Sequence, residues 1–145
     1  MKKIINAPGD VVLECAEGFV AAYGDQYEMV PETAGIKVKN VKDKPALVIG
    51  GGTGHEPMFG FFLGGNLAGA SACGNIFASP DPGTIFRTAM SVDRGQGVLF
   101  VYGNYTGDNM NFDMAAEMLE EEGIPSRTVR VTDDIASAPK DRLYD

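Results

Sequence analysis

The only histidine of the 145-residue chain follows a run of glycines. In the stretch "ALVIGGGTGHEPMFG", His55 comes directly after Gly51, Gly52, Thr53 and Gly54. A glycine run lets a small ligand approach bare backbone N–H groups. An imidazole near neutral pH donates from one nitrogen and accepts at the other, which suits a sugar hydroxyl whose proton must leave. A tight strand-to-helix turn, with the histidine satisfied by backbone at the helix start, is the alternative, and both interpretations stay open.

A second polar stretch, "GNYTGDNMNF", follows a later apolar run. It begins at Gly103 and places Asp108 directly after a glycine, at the predicted start of a helix. The helix dipole favours negative charge there, so Asp108 is ready to accept a hydrogen bond from a ligand. Plain helix N-capping is the alternative for the same residue.

Neither stretch carries a nucleotide signature. No Lys-Ser or Lys-Thr pair follows the last glycine of "GGGTGHEP", and His55 stands where the dinucleotide fingerprint has its third glycine. The loop is therefore not expected to hold ATP or NAD. Asp133 and Asp134 could bind a divalent ion, but two adjacent loop carboxylates are usually only solvated. With the two cysteines outside any CxxC pattern, we predict no metal site.

Apolar periodicity predicts the elements that position these residues. Helices are expected within "PGDVVLECAEGFVAAYGD", capped by Asp10, at "PMFGFFLGG", from Asp81–Pro82 onward, and over "GDNMNFDMAAEMLEEEG". Strands are expected at "ALVIG", over 69–73, at "GVLFVYGN" and at "SRTVRVT", whereas 25–45 reads as irregular.

This alternation predicts an α/β fold, a mostly parallel sheet flanked by helices, with the ligand loops at the carboxyl ends of the strands. Those ends are "GGGTGHEP", "GNYTGDNMNF" and "DDIASAPK", and we expect the three to converge on one site.

Charge excludes several classes of partner. With 20 acidic against 12 basic residues the net charge is −8, so nucleic acid and anionic membranes are not expected as partners. The opening "MKKIINAPGD" has no apolar stretch of signal-peptide length, and a cytoplasmic location is predicted.

Four motifs carry a family resemblance over nearly the whole chain: "GGGTGHEPMFG", "NIFASPDPGTIF", "GVLFVYGNYTGDNMNF" and "DDIASAP". They resemble the N-terminal part of the substrate-binding subunit or domain of the dihydroxyacetone kinase family. The resemblance implies that residues 1–145 bind dihydroxyacetone or a related short ketose and present its terminal hydroxyl for phosphorylation. It also implies a homodimer.

The resemblance further implies roles for individual residues. His55 hydrogen-bonds the reacting hydroxyl, and Asp108 acts as the base or shares that role. The pocket is lined by Gly51, Gly52, Thr53, Gly54 and Gly103 together with these two. No cofactor is expected in this chain, because a partner subunit or domain carries ATP–Mg or ADP–Mg.

Two departures from the family qualify this expectation. Family members are more than twice as long, and their second half supplies a histidine that binds the ketone covalently, so this chain alone is not expected to turn over. Gly103 stands where dihydroxyacetone-specific subunits commonly have lysine, which suggests a roomier pocket and a four-carbon ketose such as erythrulose.

Two other classes of function stay open. A non-catalytic ketose-binding paralogue that controls a transcription regulator would keep the same binding residues. An unrelated sugar-phosphate enzyme on an α/β sheet would hold phosphate at the glycine loop.

Overall fold

The computed structural model describes residues 3–55 and 59–132 of the chain. Short 3₁₀ turns lie at Pro8–Asp10 and Gly60–Phe62. The helices and strands of this part are, in chain order, α1 (Val11–Ala22), β1 (Tyr27–Met29), β2 (Ile36–Val38), β3 (Ala46–Thr53), β4 (Ala70–Ile76), α2 (Pro82–Met90), β5 (Val98–Gly103), α3 (Thr106–Glu121) and β6 (Ser126–Val131).

The strands form one mixed sheet in the order β1-β2-β4-β3-β5-β6. β3 pairs in parallel with both β4 and β5, and β5 pairs in parallel with β6. β1 and β2 pair antiparallel with each other, and β2 pairs antiparallel with β4. The predicted fold class, a mostly parallel sheet flanked by helices, is confirmed. The carboxyl ends of β3, β4 and β5 consequently meet at one edge of the sheet.

Helices cover both faces of the sheet. Successive strand residues point to opposite sides, so apolar strands leave apolar side chains on each face for the helices to bury. Val48 of β3 lies in a core with Ile85 of α2 and Phe112 of α3, all with no exposed surface. Its neighbour Ile49 belongs to the core on the other face, where Ala16 of α1 packs.

Aromatic packing fixes α3 to β5. The Phe112 ring stacks on Tyr102 with centroids 4.1 Å apart and meets Phe100 edge-on at 5.3 Å. Such pairs add about 0.5–1.5 kcal/mol beyond the area that they bury. Arg130 of β6 donates to both carboxylate oxygens of Asp113 at 2.7 Å, and to the Tyr102 hydroxyl at 3.2 Å.

The irregular segment predicted for 25–45 is wrong in part, because β1 and β2 form a hairpin there. Each strand has three residues, which is too few for an apolar alternation to stand out in the sequence. Glu28 faces Lys37 across the pair, and their side chains form an ion pair at 3.2 Å.

The first predicted strand extends further than expected. It was predicted to end at Gly50, but β3 continues through Gly51 and Gly52 to Thr53, paired with β4. The helix predicted at "PMFGFFLGG" is wrong for its described residues 59–65, which hold the short 3₁₀ turn and one end of an isolated β-bridge between Leu63 and Ala68. Glycines at 60, 64 and 65 interrupt that segment, and glycine disfavours helix.

The predicted helices α1, α2 and α3 are confirmed. Asp81 caps α2 as expected, because its carboxylate accepts from the Thr84 backbone N–H at 2.9 Å and from the Thr84 hydroxyl at 2.6 Å. Asp10 precedes α1 but makes no side-chain capping bond. Among the helices of residues 3–55 and 59–132, none is long and apolar enough to cross a membrane.

Candidate functional site

His55 lies just beyond the end of β3, among three aromatic rings. Its ring centroid is 5.1 Å from that of Phe77, at an interplanar angle of 89°, and 6.2 Å from that of Tyr105, at 28°. Phe59 lies 6.4 Å away. Phe77 follows β4 and Tyr105 follows β5, so segments from three neighbouring strand ends surround one imidazole.

Asp108 is the third residue of α3, in the turn where the helix dipole favours a negative charge. Its residue surface is only 8% exposed, and its Oδ1 has no hydrogen-bond partner among the described residues. Tyr105 is the N-cap residue, so N-capping is not the role of Asp108. A buried acceptor without a partner is uncommon in proteins and marks a place where a ligand can bind.

The electrostatic environment of Asp108 links it to His55. Burial raises the pKa of the Asp108 carboxyl above the ordinary value for aspartate, and a hydrogen bond from Ser79 and the charge of His55 offset part of that rise. A carboxylate with a raised pKa is a better proton acceptor than an exposed one. The structure therefore brings together the two residues predicted to do chemistry.

The loops after β3 and β5 converge, as the sequence predicts. Tyr105 provides the direct link, because its ring stacks on His55 while its backbone begins α3. The third predicted loop, "DDIASAPK", with Asp133 and Asp134, lies outside the described residues. Within residues 3–55 and 59–132, no group of three or more His, Cys, Asp or Glu side chains is placed to hold a metal ion.

Protein atoms lie close to the positions that Cβ atoms on the glycines of β3 and on Gly54 would take. A Cβ on Gly51 would lie 2.5 Å from the ring of Phe59, and one on Gly52 would lie 2.6 Å from the backbone nitrogen of Ala78. At Gly54, with φ of 111°, it would lie 3.1 Å from the Phe77 ring. These glycines thus permit close packing around His55, and any ligand contact there must come from their backbone.

Alternation along β3 divides the predicted pocket residues between two sides. Gly51 and Thr53 line an apolar cavity of about 370 Å³ on the α1 side, together with Phe59. Gly52 and Gly54 instead contact the segment after β4 that carries Phe77. The Thr53 hydroxyl donates to the Gly74 carbonyl at 2.8 Å, and this bond ties β3 to β4.

Gly103 lies under an aromatic ring. A Cβ at this position would be 3.0 Å from Cε2 of Tyr105, and the Gly103 carbonyl accepts from the Tyr105 N–H at 2.8 Å. The space that a side chain at 103 would enter is therefore next to the ring that stacks on His55.

Sequence reasoning missed Phe77, Ser79 and Tyr105 as site residues. The strand at 69–73 was predicted too short, because β4 runs to Ile76 and the chain enters the site only after it. A parallel neighbour of β3 must end at the same edge of the sheet, so the correct strand length would have placed "FAS" beside His55.

The chain has a mixed sheet with an imidazole and a buried carboxylate at its carboxyl edge, the edge at which α/β domains commonly bind their ligands. The chain belongs to the Dak1 domain family, whose model matches residues 17–145. The resemblance to the dihydroxyacetone kinase family is thereby confirmed.

Named relatives agree with this membership. The chain is 48% identical, over 136 residues, to the dihydroxyacetone-binding subunit of a PTS-dependent dihydroxyacetone kinase of Lactococcus lactis, covering 93% of this chain and 41% of the relative. It is 42% identical, over 137 residues, to the L-erythrulose 1-kinase of Mycolicibacterium smegmatis, covering 94% of this chain and 24% of that enzyme. The chain thus spans less than half the length of these relatives.

Solved structures share the fold. The dihydroxyacetone kinase from C. freundii, in complex with AMP-PNP and Mg²⁺, superposes with a TM-score of 0.85 at 27% identity, over 91% of this chain and 26% of that one. A dihydroxyacetone kinase operon co-activator gives a TM-score of 0.80 at 28% identity, over 85% of this chain and 38% of its own.

Proposed function

We propose that this chain is the N-terminal part of the ketose-binding domain of a short-ketose kinase. It binds dihydroxyacetone or a related short ketose and presents the terminal hydroxyl for phosphorylation. Both named relatives act on or bind such ketoses by their names. The observation that carries the proposal is the buried, unpartnered Oδ1 of Asp108 at the edge of the sheet where His55 also lies.

In this proposal Asp108 and His55 share the reacting hydroxyl. The unpartnered Oδ1 accepts the hydroxyl proton in a hydrogen bond, and burial makes the carboxylate a stronger base than exposed aspartate. The imidazole of His55 hydrogen-bonds the same hydroxyl and can receive its proton. Backbone groups of Gly51, Gly52, Thr53, Gly54 and Gly103 complete the ketose pocket.

The phosphoryl donor belongs to another domain or subunit, which carries ATP–Mg or ADP–Mg. The related kinase with AMP-PNP and Mg²⁺ supports a nucleotide in this class of enzyme. In the described residues, the glycines of β3 lie in a strand paired with β4, whereas nucleotide-binding proteins cradle phosphates in an open glycine loop. The bound nucleotide would supply the phosphoryl group, while this chain positions the hydroxyl and accepts its proton.

The ketose has three or four carbons in this proposal. Gly103 in place of lysine and the L-erythrulose kinase among the relatives favour a four-carbon ketose, whereas the Lactococcus relative favours dihydroxyacetone. We also propose that the protein is cytoplasmic and forms a homodimer. Sedimentation equilibrium of the purified protein would test the dimer.

A regulatory function is the second candidate, because an operon co-activator shares this fold. Such a protein would bind the ketose without phosphorylating it. Formation of the ketose phosphate, followed by ³¹P NMR after a full-length ketose-binding domain that contains this chain is combined with a nucleotide-bearing kinase subunit, supports the kinase. Ketose binding with no phosphate transfer in that mixture supports the regulator.

Ketose binding is the first test of either candidate. Because His55 is the only histidine of the chain, its ring resonances report the site without assignment. Dihydroxyacetone and L-erythrulose should each shift them in the wild-type protein. Asp108→Asn should weaken this response about tenfold or more, since a buried charged acceptor contributes roughly 1.5–3 kcal/mol to a hydrogen bond. Glu117→Gln, on the exposed side of the same helix, is the matched control and should bind normally. No shift with either ketose would refute the proposal.

A further inference from the structure

We propose that Phe77 and Tyr105 form an aromatic clamp that sets the orientation of the His55 imidazole for the ketose. The two rings are thus positioning residues, and this role rests on the proposed function because it requires His55 to contact the substrate. The clamp is defined by the edge-to-face contact of Phe77 and the near-parallel contact of Tyr105 with His55.

Phe77 has a backbone conformation that packing alone does not explain. Its φ is 50°, in the left-handed region that bulky residues rarely adopt, and the residue is 71% exposed. A strained, solvent-exposed aromatic residue gains little from burial, so strain of this kind points to a functional position. The Phe77 N–H donates to the Thr53 carbonyl at 2.8 Å, which holds the strained residue against the end of β3.

The Phe77 ring contacts the chain immediately before His55. A Cβ on Gly54 would lie 3.1 Å from two atoms of this ring, and the φ of 111° at residue 54 is one that L side chains rarely adopt, so both observations favour glycine there. With its centroid 5.1 Å from that of the imidazole and the planes at 89°, the ring limits rotation of His55 on one side.

Tyr105 makes the second ring contact of His55 in the clamp and limits rotation of the imidazole there. Its centroid lies 6.2 Å from that of His55 with an interplanar angle of 28°. The glycine at 103 gives this ring its place, because the nearest ring atom is 3.0 Å from where a Cβ would be. Tyr105 is also the N-cap residue of α3, three residues before Asp108. The first turn of α3 therefore determines the positions of both the Tyr105 ring, which stacks on His55, and the Asp108 carboxylate, which shares the reacting hydroxyl with His55.

Two perpendicular constraints on one imidazole leave its nitrogens in a fixed direction. A hydrogen bond to a small ketose depends on that direction, because N–H···O geometry weakens steeply away from linearity. A clamp of this kind affects binding through orientation and not through contact with the ketose carbon chain. It should therefore act on three-carbon and four-carbon ketoses alike.

The test uses the ring resonances of His55 in the 145-residue chain, at rest and during titration with dihydroxyacetone. Phe77→Leu and Tyr105→Leu should each move the His55 ring protons toward their position in an unstructured peptide, because the ring currents are lost. Each should also weaken the dihydroxyacetone response about tenfold, the equivalent of one well-oriented hydrogen bond. Phe77→Tyr and Tyr105→Phe keep the rings and should restore both readouts to within about twofold of wild type.

Tyr23→Leu is the matched control. Tyr23 is 45% exposed against 46% for Tyr105, lies in contact with Phe19, and should leave the His55 resonances unchanged when replaced. The backbone amide spectrum shows which variants are folded. Because each leucine variant removes a different ring contact of His55, the two variants are independent tests of the clamp.

The outcomes separate the two proposals. If dihydroxyacetone shifts His55 in wild type while folded Phe77→Leu and Tyr105→Leu bind it equally well, the clamp is refuted and the proposed function stands. If dihydroxyacetone leaves wild-type His55 unmoved, the proposed function fails. The displaced His55 resonances of the leucine variants would then report ring packing only. The positioning role would be refuted together with the proposed function.

Discussion

Replacing Gly52 by alanine tests how closely β3 must pack against the segment after β4. The added Cβ would lie 2.6 Å from the backbone nitrogen of Ala78, and 3.0 Å from both the Ala78 oxygen and the carbonyl carbon of Phe77. All three atoms are backbone, so no rotamer change relieves the contact. Ordinary contact begins near 3.4 Å, and the Ala78 nitrogen must therefore move by about 0.8 Å.

A displacement of this size should lower both the unfolding free energy and the affinity for ketose. Overpacking of this kind costs about 1–3 kcal/mol of unfolding free energy. For a chain near 150 residues, this corresponds to a fall in Tm of roughly 2–12 °C. The same movement carries Phe77 and Ser79, and a misplacement of about 1 Å can reduce function up to about 100-fold.

Urea unfolding followed by far-UV circular dichroism measures the stability change, and titration of His55 with dihydroxyacetone measures binding. Gly18→Ala is the matched control, because a Cβ there meets nothing within 4 Å. Gly18 lies inside α1, so alanine should stabilise the chain by about 1 kcal/mol through helix propensity. A Gly52→Ala protein as stable as wild type, with unchanged His55 resonances, would refute the close packing on which the site geometry depends.

Three further substitutions test separate parts of the structure. Asp108→Asn should raise the unfolding free energy at neutral pH, because burial raises the native pKa of this carboxyl and so disfavours its charge. The gain should disappear at pH values below the ordinary aspartate pKa, where the wild-type carboxyl is protonated in both the native and the unfolded state. An equal gain at every pH in urea titrations would contradict this. Asp81→Ala should cost about 1 kcal/mol by removing the α2 cap. Burial alone would raise the Asp81 pKa, but hydrogen bonds from Thr84 outweigh it and lower the pKa, so the difference between wild type and variant should shrink as pH falls through the native pKa. A gap between the two unfolding curves that persists in acid would argue against the cap. Asp113→Asn should cost no more than about 1 kcal/mol, since its pair with Arg130 is largely solvent-exposed and the bond from Arg130 to Tyr102 is kept. A loss of several kcal/mol by thermal unfolding would show that this pair matters far more than its exposure indicates.

The sequence predicts those parts of the fold that local chemistry determines. The Asp81–Pro82 start of α2 is readable because a capping side chain and a proline at the first helical position act within four residues. β5 is readable because "VLFVY" is a short continuous apolar run with a glycine at each end. The pairing of His55 with Asp108 followed from the rule that parallel strands end at one edge.

Tertiary contacts determine what the sequence does not predict. β1 and β2 depend on pairing with each other and with β4, which a three-residue window does not reveal. The glycines at the end of β3 disfavour a strand by propensity, yet the Phe59 ring and the Ala78 backbone require them there. Phe77 was not predicted as a site residue because the predicted strand ended before Ile76, and nothing in the neighbouring residues signals the positive φ of Phe77.

The stacking of Phe112 on Tyr102 affects how a ligand is received. Phe112 lies one helical turn after Asp108 and has no exposed surface, so the carboxylate is attached to a tightly packed part of the core. A ketose arriving at this carboxylate meets a receptor group that is already in place, and little conformational entropy is lost on α3 when the complex forms. Amide hydrogen exchange in the second turn of α3, where Phe112 lies and the N–H groups are bonded within the helix, should accordingly be slow in the free protein and change little on saturation with ketose.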